Sequence, residues 1–134
     1  MKGKFLTACI LGFAIAIVSL PLFAHHGNAV YDDTKTITLK GTVAQWVWSN
    51  PHCILHLDVT DERGQVVGWI VETENPTSMF NIGWTKTSMK PGDQVTVTAM
   101  QVKNGKPIGR IVDVLLPSGQ KLVGKARLNS DDSK

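Results

Sequence analysis

Alternation of apolar and polar residues with a period of two recurs in five short segments, and it limits the fold more than any other feature of the chain. This pattern, in segments rich in valine, isoleucine, leucine and threonine, is typical of β-strands that bury one face. A sixth, shorter strand is possible near residues 120–123. The five predicted strands are residues 36–48, 53–59, 66–73, 94–100 and 108–115.

A short helix is predicted between the third and fourth strands. Asn75 is a good N-cap, Pro76 suits the first helical position, and Gly83 can end the helix. A small sheet has exposed edges, which closure into a barrel removes. Three strands, a helix and two strands is the order of an oligonucleotide/oligosaccharide-binding (OB) barrel. We therefore predict an all-β domain over residues 36–125, a five-stranded OB-like antiparallel barrel with the helix between strands 3 and 4. An open sandwich is the alternative, and residues 126–134 are expected to form a polar tail.

The first 24 residues have the layout of a secretory signal peptide. Lys2 and Lys4 precede an uncharged apolar segment over residues 5–20, and the small residue Ala24 provides a cleavage point. An uncleaved membrane anchor is the competing interpretation. Cleavage would make His25 the first residue of a periplasmic or secreted protein that is not inserted in the membrane. Residues 25–35 would then form an arm that precedes the barrel.

Charge and cysteine content restrict the partners of the processed chain. Without Lys2 and Lys4 it carries twelve basic and eleven acidic residues, a net charge of +1, and no basic patch that would favour nucleic acid. Cys53 is its only cysteine, so no intrachain disulfide can form. Cys53 also shares the phase of Leu55 and Leu57, which predicts a place in the core.

The four histidines of the processed chain are the candidate metal ligands. The α-amine and imidazole of a terminal His25 could chelate one ion, copper above all, and His26 would add a second imidazole. His52 and His56 should face outward and lie roughly 13 Å apart, too far to share an ion. Either could join the N-terminal pair if the arm folds back. The alternative is a solvated arm, with His52 in a structural role in the Asn50-Pro51 turn.

Two further features are predicted on the outer faces of the strands. Glu72 and Glu74 share one face of the third strand and could pair with a nearby histidine. Trp46 and Trp48, if they face outward beside Asn50, would form a surface for a partner. The alternative is that a bend at Gly41 reverses the alternation, so that one tryptophan covers the core.

Four segments taken together resemble a family of small exported bacterial proteins, domain of unknown function 6152. They are "AHHGNAVYD", "LKGTVAQWVWSNPH", "VETENPTSMFNIGWTKTSMKPGDQVTV" and "LPSGQKL". The family has a serine after the histidine pair, where this chain has Gly27. The resemblance implies an exported small β-domain and brings no activity with it.

These observations lead to two functional hypotheses. The first is a periplasmic, non-enzymatic binding module that holds copper or another transition metal through His25 and His26, with help from His52 or His56. The second is a metal-free module for protein interaction or envelope assembly that uses the aromatic face. The sequence carries no hydrolase or phosphate-loop motif and offers no catalytic residues. A copper oxidase-type enzyme would need an open coordination position and a substrate groove, neither of which the sequence indicates.

Overall fold

Each of the five alternating segments forms a β-strand in the computed structural model, which describes residues 30–126. The possible sixth strand is also present, and the predicted helix lies between the third and fourth strands. The elements are β1 (Ile37–Val47), β2 (Ile54–Thr60), β3 (Val66–Glu72), α1 (Pro76–Phe80), β4 (Gln94–Gln101), β5 (Ile108–Leu115) and β6 (Lys121–Val123).

The strands are hydrogen-bonded in the order β3-β2-β1-β4-β5-β6, and a further pairing of β3 with β5 closes a five-stranded barrel. The prediction of a barrel is confirmed, but the prediction that it is antiparallel throughout is wrong, because β3 and β5 pair in parallel. The reason is topological. Four successive antiparallel pairings along β3-β2-β1-β4-β5 leave the first and fifth strands pointing the same way, so a five-stranded ring of this order can close only in parallel.

β1 changes partners along its length. Its first half pairs with β4 from Ile37 to Thr42, and its second half pairs with β2 from Thr42 to Val47. Gly41 lies at the changeover, where a Cβ atom would overlap the carbonyl oxygen of Asp58. The absence of a side chain at Gly41 therefore lets β1 and β2 approach at the point where β1 leaves β4.

Substitution of Gly41 by alanine should destabilise the barrel by about 1–3 kcal/mol, because backbone atoms must move to accept the new methyl group. Thermal or urea denaturation followed by circular dichroism measures the effect. Gly68→Ala is the matched control, since Gly68 of β3 pairs with the same Asp58 and a Cβ there would meet open space. Equal stability of the two variants would show that β1 and β2 do not approach closely at this glycine.

A β-bulge follows in β1 and decides where its tryptophans point. Val43 pairs with Leu57, whereas Gln45 pairs with His56, so Ala44 is the extra residue. The burial pattern reverses there: Val43 is buried, Ala44 and Gln45 are exposed, and Trp46 is buried again. The alternation is thus reversed, as the alternative interpretation predicted. The cause is a bulge three residues beyond Gly41 and not a bend at Gly41 itself.

The segment from α1 to Trp84 covers one end of the barrel. The side-chain oxygen of Asn75 accepts a hydrogen bond from the Ser78 backbone N–H at 2.9 Å, which confirms the predicted N-cap. Met79 and Trp84 are completely buried, and Trp84 Nε1 donates to the carbonyl oxygen of Val123 at 2.9 Å. Phe80 does not help to cover the core, since 66% of it is exposed.

The interior of the barrel confirms the alternation predicted for β2, and β4 follows the same pattern. Cys53, Leu55, Leu57, Val95 and Val97 are all buried. The free thiol of Cys53 is therefore part of the core, and burial raises its pKa. Within residues 30–126, no helix is long and apolar enough to cross a membrane.

The end of the predicted N-terminal arm is attached to the barrel. Tyr31 forms an isolated antiparallel bridge with Val102, just beyond β4. The Asp32 N–H donates to the Gln101 carbonyl at 2.8 Å, and the Lys103 N–H donates to the Val30 carbonyl at 3.0 Å. Residues 30–32 therefore extend the β4 side of the sheet, and they fix where the preceding residues join the barrel.

Candidate functional site

A groove of about 420 Å³ lies where residues 30 and 31 meet the barrel. The β4–β5 connection forms one wall, and His52 of the β1–β2 connection lies on another. This is the side of an OB-type barrel on which ligands commonly bind, between the β1–β2 and β4–β5 loops. The lining residues are Val30, Tyr31, His52, Glu72, Val102, Asn104, Lys106 and Ile108.

Glu72 occupies the centre of the polar part of this groove. It is the last residue of β3, with its side chain opposite in direction to the buried Val71. Tyr31 Oη donates a hydrogen bond to Glu72 Oε1 at 2.5 Å. The contact joins the N-terminal arm to a strand 41 residues later in the chain.

Tyr31 is only 7% exposed. Burial raises the pKa of Tyr31, and the hydrogen bond to Glu72 and the negative charge of that carboxylate raise it further. The positive charge of Arg110 acts in the opposite direction. The uncharged phenol is consequently the form that the groove stabilises.

His52 contacts the second oxygen of the same carboxylate. Its Nδ1 lies 3.4 Å from Glu72 Oε2, and its side chain is 35% exposed. Backbone hydrogen bonds hold this position, since the Cys53 N–H donates to the Glu74 carbonyl and the Thr73 N–H donates to the Cys53 carbonyl. Nδ1 is therefore the ring nitrogen that faces the carboxylate, and Nε2 is the other nitrogen with which a neutral imidazole can bind a ligand.

The predicted pairing of the β3 carboxylates with a histidine is thus found at Glu72. Glu74 instead forms an ion pair with Arg110 of β5. Arg110 is opposite Glu72 in the parallel β3–β5 register, so the closing strand brings its guanidinium to this end of the barrel. The two carboxylates therefore have different partners although they share one face.

The other candidate ligands do not meet at this groove. His56 faces outward from β2 as predicted, but its neighbours in register are Gln45 and Ile70. His25 and His26, like the signal peptide, lie outside the described residues. Across residues 30–126, no group of three or more His, Cys, Asp and Glu side chains is placed to hold a metal ion.

The proposed aromatic face needs correction. Trp46 is 9% exposed, packs in the core and donates from Nε1 to the Thr85 carbonyl at 3.0 Å. Trp48 is half-buried against Trp46, with ring centroids 5.9 Å apart. Asn50 is exposed, but it has no outward-facing pair of indoles beside it. The bulge at Ala44 is the cause, because it turns Trp46 inward.

Tyr31 and Arg110 are site residues that sequence reasoning missed. Tyr31 stands in a segment without alternation, and Arg110 looks like an ordinary outward residue of a strand. Their positions depend on the arm pairing and on the parallel closure, which are contacts between distant parts of the chain. The one available signal was that the chain has a single tyrosine, seven residues after Ala24.

Comparison with known families gives a clear match. The profile of DUF6152, described as a family of unknown function, matches residues 14–111. The chain belongs to the DUF6152 family. The resemblance of its motifs to that family is therefore confirmed. No curated protein matches this DUF6152 chain.

Solved structures similar to this DUF6152 protein include two of Rim1, a mitochondrial single-stranded DNA-binding protein from S. cerevisiae. One has a TM-score of 0.48 and 12% identity and covers 62% of this chain and 93% of Rim1. The other has a TM-score of 0.41 and 13% identity and covers 61% and 92%. At these scores the fold assignment rests on the strand order and register, and DNA binding by Rim1 says nothing about this protein.

The single tyrosine makes the centre of the groove directly measurable. Phenolate absorbance near 295 nm reports only Tyr31, and its midpoint should lie above the usual value of about 10. Because the folded state favours the neutral phenol, this stabilisation is complete below about pH 10 and is lost as the pH rises through the folded pKa.

The Glu72→Gln variant provides the control for this titration. It should lower the midpoint part of the way toward 10, because burial, the largest cause, remains. A wild-type midpoint equal to that of the unfolded chain in guanidinium would contradict the buried Tyr31–Glu72 contact.

Proposed function

We propose that this DUF6152 protein is an exported, non-enzymatic binding module that captures a transition-metal ion, copper above all, between its N-terminal histidines and His52. The observation that carries the proposal is the attachment of residues 30–32 beside His52. The arm that bears the first two histidines joins the barrel at the groove where the third one is held.

Chain length sets how far the N-terminal ligands can be from this groove. His26 precedes Tyr31 by five residues and His25 by six. At no more than about 3.6 Å per residue, they lie within roughly 18 and 22 Å of the attachment point. A tethered ligand at this range has a high effective concentration at His52, which favours binding of one ion by both.

His52 suits this role better than His56. It lines the groove next to Tyr31, and its Nδ1 faces a carboxylate, the arrangement in which metal-binding histidines are usually held. His56 points out of the middle of β2 and does not line the groove. Three nitrogen ligands, from the amine, one arm imidazole and His52, would make a donor set that Cu(II) binds strongly.

A free α-amine at His25 is essential for this site. Intact-mass measurement of the exported protein should first show a chain that begins at His25. Calorimetric Cu(II) titration should then show that this protein binds at least about tenfold more tightly than one carrying an extra residue before His25. Loss of a ligand should lower the metal affinity at least as much as the 10–100-fold loss that is typical when a residue behind a ligand is changed. Equal affinities would show that the amine is not a ligand.

The two histidines of the barrel, His52 and His56, provide a matched pair of variants. His52→Ala should weaken Cu(II) binding by at least about tenfold, by the same reasoning. His56→Ala, which removes an outward imidazole from β2 four residues further along the chain, should leave the affinity unchanged. Thermal denaturation of both variants checks that the barrel is intact. A larger effect at His56 would contradict the proposed site.

A further inference from the structure

We propose that the free edge of β3, formed by residues 66–69, is a dimerisation surface at which two copies of this protein pair as antiparallel strands about a two-fold axis. These four residues do not line the candidate groove. The inference is therefore independent of the proposed metal function and goes beyond it.

Only the last three residues of β3 are paired on both sides. The whole strand pairs with β2, but β5 pairs with it only from Ile70 to Glu72. The Ile70 N–H donates to the Pro107 carbonyl, so the backbone groups of Ile70 point away from β2. Backbone direction alternates along a strand, so the N–H and C=O groups of Gly68 and Val66 point the same way. No residue of the described range 30–126 accepts from or donates to these four groups.

The free edge of β3 lacks the features that usually prevent a strand from pairing with another chain. Residues 66–71, "VVGWIV", contain no charge and no proline, and no bulge interrupts their pairing with β2. Val66 is 67% exposed and Ile70 is 42% exposed, on the same face as Gly68. The edge therefore offers both free backbone groups and apolar side chains to a further strand.

A second copy of the chain fits this edge because pairing about a two-fold axis is self-complementary. When Val66 of each copy lies opposite Gly68 of the other, each of the two residue pairs exchanges two backbone hydrogen bonds. This arrangement uses all the outward groups of both residues. Ile70 takes no part, since its N–H is already bonded to Pro107. The free edge of each copy is then covered, so association through it stops at a dimer.

The side chains of the edge suit the same register. Gly68 has open space where a side chain would stand, so the exposed Val66 of one copy can lie over Gly68 of the other, next to Ile70. On the opposite face, Val67 of one copy lies across from Val67 of the other, in the kind of pair whose side chains are closest. Removal of these apolar groups from water stabilises the pair.

Charge favours the antiparallel arrangement over the parallel one. The β2–β3 connection at one end of the edge carries Asp61, Glu62 and Arg63, a net charge of −1, whereas the β4–β5 connection at the other end carries Lys103 and Lys106, a charge of +2. Antiparallel pairing sets the acidic end of each copy against the basic end of the other, whereas parallel pairing would bring like charges together. Since Lys106 lines the groove, the acidic turn of the second copy would also stand near each groove.

Sedimentation equilibrium of the exported protein, from micromolar to millimolar concentration, is the first test. The small area of a short edge predicts a weak, reversible equilibrium between monomer and dimer. Added salt should weaken it, because opposite charges meet at both ends of the edge. A monomer over the whole concentration range, or species that keep growing beyond a dimer, would refute the proposal.

Variants of the edge test whether it forms the interface. Gly68→Pro removes an N–H that makes no bond within the described barrel, and Val66→Lys places a charge on the edge. Each should weaken dimerisation by at least about tenfold, the value of one or two hydrogen bonds. Thr60→Lys is the matched control, because Thr60 is exposed opposite Val66 on β2 and adds the same charge away from the edge. Thermal denaturation checks that each variant is folded. Wild-type dimerisation of folded Gly68→Pro and Val66→Lys would refute the proposed interface.

Amide hydrogen exchange, followed by NMR, tests the register. The N–H groups of Val66 and Gly68 should exchange rapidly in the dilute monomer and become protected as the dimer forms. Those of Val67 and Trp69, which point toward β2, should be protected at every concentration. A dimer in which the amides of Val66 and Gly68 still exchange rapidly would have another interface and would contradict the proposal.

Discussion

The parallel pairing of β3 with β5 is the interaction on which the rest of this molecule depends. Only three residue pairs form it, from Ile70–Ile108 to Glu72–Arg110, and a further bond runs from the Ile70 N–H to the Pro107 carbonyl. Without it, β3 would be a free edge, and Glu72 would stand apart from the β4–β5 connection. With it, the end of β3 meets that connection, which is also where residues 30–32 attach. The groove therefore follows from closure of the barrel.

Two local irregularities in β1 allow this closure. An eleven-residue strand that pairs first with β4 and then with β2 must coil strongly, and Gly41 gives room for the close approach to Asp58. The bulge at Ala44 then increases the local twist and turns Trp46 toward Trp84, with ring centroids 5.7 Å apart. The Trp46 indole, predicted as part of a partner surface, instead links β1 to the segment that covers the barrel end.

Much of the fold could be predicted because its signals are local. Period-two alternation identified the strands, and the parity of β2 placed Cys53 and Leu55 inside and His52 outside. The bulge could not be predicted, because one inserted residue leaves no mark in a pattern where Ala44 and Trp46 suit either face. Only part of the candidate site could be predicted from the sequence, for a related reason. Glu72 and His52 stood out by chemistry, whereas Tyr31 reaches Glu72 across 41 residues through pairings that the sequence does not encode locally.

A metal site divided between the barrel and its N-terminal arm, as proposed above, could form only once both parts are in place. Under the proposed function, the described barrel supplies one rigid imidazole, since residues 30–126 contain no cluster of three ligand side chains. The chelating amine of His25 exists only after a peptide bond before it has been cut. One fixed imidazole binds Cu(II) far more weakly than the joined set, because the other ligands act through a high effective concentration. Under this proposal, high affinity for Cu(II) would appear only after the signal peptide has been removed, in the compartment where the ion is to be bound. The uncleaved chain would bind Cu(II) only weakly during its synthesis.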